Sequence, residues 1–139
     1  MEVKVSHLGQ VKFNIQSRNH SILCDQPVEN GGADCAMTPP ELMLAALGSC
    51  AAFYAVQYLQ TRKLTDHGVE VSVTADKLKQ PARLGNFNIR VECPVPLTEE
   101  QTEGLMRSVH HCLIHNTLLS PPEIKIELVV PEPVVTTGV

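Results

Sequence analysis

The chain has 139 residues, of which 43% are hydrophobic and 19% charged, proportions typical of a folded globular protein rather than a disordered one. Its net charge is −4 and its pI about 5.8, so no basic surface indicates a nucleic acid or an acidic lipid as partner. No linker or internal repeat divides a chain of this length, and we predict a single domain over residues 1–139.

The N-terminal part of the chain predicts three short strands. Residues 2–8 and 10–16 alternate polar and apolar side chains around Gly9, which predicts a hairpin, and residues 20–24 follow as a third strand. This alternation lacks the continuous apolar run of a secretory signal, so we expect a cytoplasmic protein. Residues 25–40, DQPVENGGADCAMTPP, are rich in Gly, Asp, Asn and Pro and predict an irregular loop.

A long helix is predicted to begin at Pro39, because Thr38 can be its N-cap and Glu41 completes a capping box. The stretch 42–61 then contains no Asp, Glu, Lys, Arg or His and is long enough to span a membrane. It is, however, rich in alanine rather than leucine, and the amphipathic strands around it need an apolar surface to cover. We therefore predict that it is the buried central helix of a soluble domain and not a membrane span.

Two further strands and a second helix follow. Residues 69–78 and 86–95 alternate in the manner of strands and are joined by a loop that contains proline and glycine. Thr98 is the predicted N-cap of the second helix, whose apolar side chains recur at 3.6-residue spacing as far as Cys112 and Leu113. Cys112 is therefore predicted to face the core.

Residues 123–130 predict a last strand, and we expect residues 131–139 to form a loose tail. The order βββ-α-ββ-α-β predicts an α+β fold. Small side chains on the central helix permit a second helix to approach closely, so we expect a homodimer. They are Ala45, Ala46, Gly48, Ser49, Ala51 and Ala52.

Cys50 is the candidate reactive residue, provided that its thiol is activated. It lies about three turns into its helix, beyond the reach of the helix dipole. A free thiol of pKa near 8.5 is only a few per cent ionised at neutral pH. Lowering that pKa to about 6 needs roughly 3.4 kcal/mol, and a guanidinium about 4 Å away supplies on the order of 4 kcal/mol. Arg18, at a turn before a strand, is a candidate for that guanidinium; otherwise Cys50 is a packed structural cysteine.

The remaining thiols leave several possibilities open. Cys112 could meet Cys50 if their Cα atoms come within about 7 Å. A metal module that uses Cys112 and His115 is a further alternative, although solvated histidines are the simpler interpretation. No phosphate loop or dinucleotide fingerprint is present, and we expect no cofactor or metal. Three cysteines without acid–base partners nearby in sequence are interpreted as structural. They are Cys24, Cys35 and Cys93.

Two segments resemble the OsmC/Ohr family: HSILCDQPVENGGADCAMTPPELMLAALGSCAAF and VHHCLIHNTL. The order of strands and helices also fits, so the resemblance covers nearly the whole chain. It implies an intertwined homodimer, with strands wrapped around the central helix, that reduces organic hydroperoxides. By this resemblance Cys50 would become a sulfenic acid, Cys112 would resolve it as a disulfide later reduced by a dithiol, and Arg18 would hold the thiolate.

Glu41 would match the glutamate that pairs with this arginine in the family's peroxidases. Counted back from Cys50, however, Pro40 occupies that position, and Glu41 follows one residue later, about 100° further around the helix. Its capping role accounts for Glu41 without catalysis. The alternative function is therefore a noncatalytic or small-ligand-binding member that keeps the fold and an apolar pocket.

Overall fold

Two antiparallel sheets and three α-helices make up the fold in the computed structural model, which describes residues 1–132. The first sheet has the strand order β1-β2-β3 and the second consists of β4 and β5. The elements are β1 (Lys4–Gly9), β2 (Lys12–Ser17), β3 (His20–Cys24), α1 (Pro39–Thr61), β4 (Glu70–Lys79), β5 (Ala82–Glu92), α2 (Glu99–Val109) and α3 (Leu113–Leu119).

The predicted α+β arrangement is confirmed, and five of the predicted strands form within four residues of their expected bounds. The second helix differs from its prediction, because α2 ends at Val109 and a turn separates it from α3. Cys112 has non-helical backbone angles and is the N-cap of α3. The apolar spacing that predicted one continuous helix therefore runs across a break.

The predicted strand at 123–130 does not form. Its residues have no regular structure, and Ile124, Ile126 and Leu128 are each more than 80% exposed. A strand needs the edge of a sheet to pair its backbone groups, and the segment contacts none within residues 1–132. Of the tail expected at 131–139, residues 133–139 lie outside the described residues.

Helix α1 begins as predicted, with a complete capping box. The Thr38 backbone N–H donates to Glu41 Oε2 over 2.7 Å, and the Thr38 side chain accepts from the Glu41 backbone N–H. Since both groups are unpaired in an uncapped helix, each bond stabilises the first turn. Pro39 and Pro40 follow the cap, where their missing N–H groups cost little.

One side of α1 is the centre of the core. It packs against β4, β5, α2 and α3 through buried side chains that recur every three or four residues. The opposite side is exposed, including Phe53. By length and composition α1 is the one helix in the described chain that could cross a membrane. Its packing is that of a core helix, half covered by its own chain. The buried set is Leu47, Ala51, Ala55, Tyr58 and Leu59.

Tyr58 joins α1 to α2 through a close contact with Gly104. A Cβ atom at position 104 would collide with the hydroxyl oxygen and lie 2.8 Å from two ring carbons of Tyr58. Only glycine lets the helices approach this closely. Nearby, the Ser108 hydroxyl donates to the carbonyl oxygen of Tyr54 over 3.0 Å, a second link between the two helices.

The N-terminal sheet has an apolar face that the described chain leaves uncovered. Val5, Ile15 and Ile22 lie directly opposite one another across the three strands. Val5 is 58% and Ile22 52% exposed. Within residues 1–132 the sheet does not pack against α1 in the way that β4 does. The expectation that strands wrap around the central helix is therefore met within one chain only by the second sheet.

The loop between β3 and α1 is built around a buried carboxylate. Asp25 Oδ2 accepts the N–H of Ala33 over 3.0 Å, the N–H of Cys35 over 3.2 Å and the Cys35 thiol over 3.1 Å. The N–H of Gln26, followed by these groups, lowers the pKa of Asp25 to about 2. A side chain at Gly32 would collide with the Gln26 carbonyl. The Asp25 carboxylate thus holds the two ends of this loop together.

We expect Asp25→Asn to unfold at a lower urea concentration than the wild type at pH 7, because an amide is a weaker acceptor than a carboxylate. The folded-state pKa is depressed, so this stabilisation is present above the unfolded value near 3.9 and is lost as the pH falls through about 2. Asp34→Asn, an exposed change in the same loop, is the control. Identical pH dependence of unfolding between pH 4 and 2 in both variants would contradict this assignment.

Candidate functional site

Cys50 and Cys112 are brought together where α1 meets the start of α3. Cys50 is half-buried, whereas Cys112 is fully buried. Both are free thiols. Cys112 is held in place by the backbone, because its sulfur accepts the N–H of His115 over 3.3 Å as the N-cap of α3. Of the two sulfurs, therefore, the one that a reagent from solvent can reach is that of Cys50.

The two thiols have opposite pKa shifts. Burial raises the pKa of Cys50, but hydrogen bonds from the Cys112 thiol and from the backbone N–H groups of Ile114 and Leu113 outweigh it, and the pKa lies below its ordinary value. Burial and the neighbouring Cys50 raise the pKa of Cys112. Cys50 therefore ionises first, and Cys112 remains a thiol that donates to it.

The effect of the Leu113 and Ile114 backbone N–H groups on the pKa of Cys50 could not be inferred from the sequence. Every residue but proline supplies such a group, and no side-chain pattern marks them. Their effect depends on the turn that separates α2 from α3. The sequence does not indicate that turn, because Cys112 is the N-cap of α3 and cysteine is not among the preferred N-cap residues.

Arg18 does not approach Cys50 within one chain. It lies at the tip of the β2–β3 hairpin, exposed and with φ of 53°, on the sheet that leaves α1 uncovered. No carboxylate in residues 1–132 forms an ion pair with it. The lowered pKa of Cys50 therefore arises here without the guanidinium expected from the sequence.

Glu41 is occupied by the helix cap. Its Oε2 accepts both the N–H and the hydroxyl of Thr38, at 2.7 and 2.9 Å, and these bonds lower its pKa, with a smaller contribution from Lys77. The capping interpretation of Glu41 is thus confirmed. Like Arg18, it makes no contribution to the pKa of Cys50.

An apolar cavity of about 220 Å³ lies between β5 and the C-terminal end of α2, and neither Cys50 nor Cys112 lines it. Two histidine rings flank it, those of His110 and His115, with centroids 5.5 Å apart. No group of three His, Cys, Asp or Glu residues in the described chain could hold a metal ion, so the metal module gains no support from the arrangement. The cavity is lined by Ile89, Val91, Met106, Val109, His110 and His115.

The three other cysteines occupy different environments. Cys24 is buried, and burial followed by the charge of Asp25 raises its pKa. Cys35 donates its thiol proton to Asp25, and Cys93 packs against the core. Each has a place in the packing or the loop, which agrees with a structural role.

We expect Cys50 to be alkylated by iodoacetamide at a lower pH than an ordinary cysteine, because its thiolate is hydrogen-bonded. Cys112→Ala should move this profile to higher pH by removing one donor. Peptide mass spectrometry across a pH series would measure both. Cys35→Ala is the control and should leave the profile unchanged; a profile insensitive to Cys112→Ala would show that the thiols do not interact.

When the sequence is compared with models of known protein families, one family matches. Residues 31–127 match the family model described as OsmC-like protein. No functionally curated protein matches the sequence.

Three solved structures illustrate the likeness in fold. A Psychrobacter arcticus protein, described as an osmotic stress induced and detoxification response protein, has a TM-score of 0.76 at 20% identity over 83% of this chain and 85% of that one. An OsmC-like protein from Mycoplasma pneumoniae has a TM-score of 0.71 at 19% identity, over 87% of this chain and 89% of that one. An organic hydroperoxide resistance protein from Legionella pneumophila has a TM-score of 0.61 at 17% identity, over 84% of this chain and 87% of that one. The chain belongs to the OsmC-like family.

Proposed function

We propose that the protein is a thiol-dependent peroxidase that reduces organic hydroperoxides. The observation that carries this proposal is the pairing of a half-exposed Cys50, whose pKa is lowered, with a fully buried Cys112 that donates to it. A nucleophilic thiolate beside a second thiol is the arrangement of a two-cysteine redox centre. The family, and the description of the Legionella structure, support the choice of hydroperoxide.

The proposed cycle follows from the positions of the two sulfurs. The Cys50 thiolate attacks the outer oxygen of the hydroperoxide, the O–O bond breaks, and the alcohol leaves after taking a proton. Cys50 is now a sulfenic acid. The Cys112 thiol attacks its sulfur, water leaves and a disulfide forms. A dithiol from solvent then restores both thiols, which is consistent with a protein of the reducing cytoplasm.

The apolar cavity beside α2 supports an organic substrate rather than hydrogen peroxide. Its wall is mostly aliphatic, so it favours binding of a hydrocarbon group and adds little affinity for a small polar peroxide. His110 and His115 at its edge are the polar groups that could orient the substrate. No cofactor or metal takes part in the proposed cycle.

We further propose that the active unit is a homodimer. Three apolar surfaces are uncovered in the described chain: the inner face of the N-terminal sheet, the outer side of α1 and the segment 121–132. Apolar exposure on this scale indicates an interface. A second copy offers matching partners for all three, including a sheet edge for the strand expected at 123–130.

The dimer also offers a place for Arg18. Because the sheet that carries Arg18 leaves its own α1 uncovered, it would cover the partner's α1 and could bring the guanidinium to the partner's Cys50. A charge at about 4 Å would add on the order of 4 kcal/mol to the stabilisation of the thiolate. The donors that already surround Cys50 within one chain would then fix the position of its thiolate.

A small-ligand-binding member without catalysis is the alternative function. It is favoured by one observation: Glu41 is held by Thr38 while Arg18 is exposed and far from Cys50 within the chain. In that case the apolar cavity would bind a ligand and the thiols would have a structural role.

Purified protein should reduce cumene hydroperoxide with a dithiol, and Cys50→Ser should abolish the turnover because the neighbouring Cys112 is buried and its pKa is raised. Cys112→Ser should still form one sulfenic acid per chain, detected as a dimedone adduct at Cys50. Cys35→Ser is the matched control and should keep wild-type activity. Turnover absent from the wild type, or unchanged in Cys50→Ser, would favour the ligand-binding alternative.

Mixing Arg18→Ala with Cys50→Ser should restore activity that neither variant has alone, if Arg18 acts on the partner's Cys50. Random re-pairing makes half of the dimers mixed, each with one intact site of two, so about a quarter of wild-type turnover is expected. Arg83→Ala, an exposed arginine on the second sheet, is the control for loss of charge. No recovery on mixing would place Arg18 with its own chain's Cys50 or outside the site.

A further inference from the structure

A second cavity, of about 440 Å³, lies between the C-terminal end of α1 and the first turn of α2. In contrast to the apolar cavity between β5 and α2, its lining is mostly polar. It is formed by Tyr58, Arg62, Thr98, Glu100, Gln101 and Arg107. None of these residues takes part in the proposed thiol chemistry, so a ligand bound in this cavity would be independent of the peroxidase cycle.

The hydroxyl of Tyr58 is the first indication of a ligand. Tyr58 is only 8% exposed, with Gly104 beneath its ring and the Arg62 guanidinium carbon 4.1 Å from the ring centroid. Yet no group in residues 1–132 forms a hydrogen bond with its hydroxyl. The ring is buried, but the hydroxyl oxygen is open to the solvent of the cavity. A ligand in the cavity could therefore replace water as its partner.

The free donors around the cavity indicate the class of that partner. Arg62 is stacked on Tyr58 and has no carboxylate partner among the described residues, and Arg107 forms only a long contact, 3.5 Å, with Glu103 on the solvent side. The capping box of α2 uses the N–H of Gln101, which leaves the N–H groups of Glu99 and Glu100 without intrahelical partners. All of these groups are donors.

Glu100 is the one acidic group in the lining, and it limits the charge that the cavity favours. Arg107 is paired with Glu103, and Glu99 and Glu100 lie in the first turn of α2, so the side chains around the cavity carry no net positive charge. The donors that remain for a ligand are the Arg62 guanidinium and the partly positive N-terminus of α2. Guanidinium groups bind carboxylates and phosphates through paired hydrogen bonds, so a small oxyanion group is the partner that fits these donors.

We propose that this cavity binds a small oxyanion, a carboxylate or a phosphate, held by the Tyr58 hydroxyl, the Arg62 guanidinium and the first-turn N–H groups of α2. The Arg62 guanidinium carbon lies 4.1 Å from the centroid of the tyrosine ring, which holds the guanidinium beside the cavity before the ligand arrives. The ligand thereby joins the end of α1 to the start of α2.

The proposal is tested by titrating isotope-labelled protein with inorganic phosphate and, separately, with succinate, at constant ionic strength set by sodium chloride. Amide shifts of Glu99, Glu100 and Gln101 should saturate. Tyr58→Phe, which removes only the hydroxyl, should weaken binding about two- to tenfold. Arg62→Gln should weaken it at least about tenfold. Arg83→Gln removes an equal charge elsewhere and should leave binding unchanged.

The tighter of the two probes identifies the ligand as a phosphate or a carboxylate, and either result supports the site. Shifts that do not saturate with either probe would overturn the proposal. So would Tyr58→Phe with wild-type affinity, or Arg83→Gln that weakens binding as much as Arg62→Gln. Turnover of hydroperoxide is not a readout here, so the outcome is independent of the proposed peroxidase.

Discussion

The packing of α1 against the second sheet and α2 is the constraint on which the rest of the structure depends. A stripe of five buried side chains from Leu47 to Leu59, two of them alanine, lets the neighbouring elements approach closely and fixes the rotation of the helix. That rotation places Cys50 against α3 and Tyr58 against Gly104. A change of one residue in the helix register would turn both by about 100° and separate each from its partner.

The ionisation of Cys50 is favoured by hydrogen bonds rather than by a charged neighbour. Neutral donors lower a thiol pKa less than a guanidinium can, but they are fixed by the backbone and are not screened by salt. In the proposed dimer, an arginine from the partner would add charge to a site already oriented. Assembly would then control reactivity, because the hydrogen bonds belong to one chain and the charge to another.

The sequence predicted the features that depend on neighbouring residues and missed those that depend on distant ones. The capping box at Thr38, the start of α1 and five strands follow from local patterns. The break before Cys112 was not predicted, because apolar spacing continues across it and cysteine rarely caps a helix. The segment 123–130 has the pattern of a strand, but no sheet edge within residues 1–132 pairs with it. The position of Arg18 relative to Cys50 likewise depends on which chain its sheet covers.

The burial of Cys112 affects the step of the proposed cycle in which a dithiol reduces the disulfide. Once the disulfide has formed, an incoming reductant can reach only the Cys50 sulfur, so Cys112 must be the leaving group. Thiols of raised pKa leave slowly, and the surroundings that keep Cys112 protonated disfavour its departure as an anion. A proton delivered to that sulfur as the bond breaks would remove this barrier. In the proposed cycle, the asymmetry that favours attack by Cys50 would therefore slow regeneration, and it would favour reductants that bring their own acid.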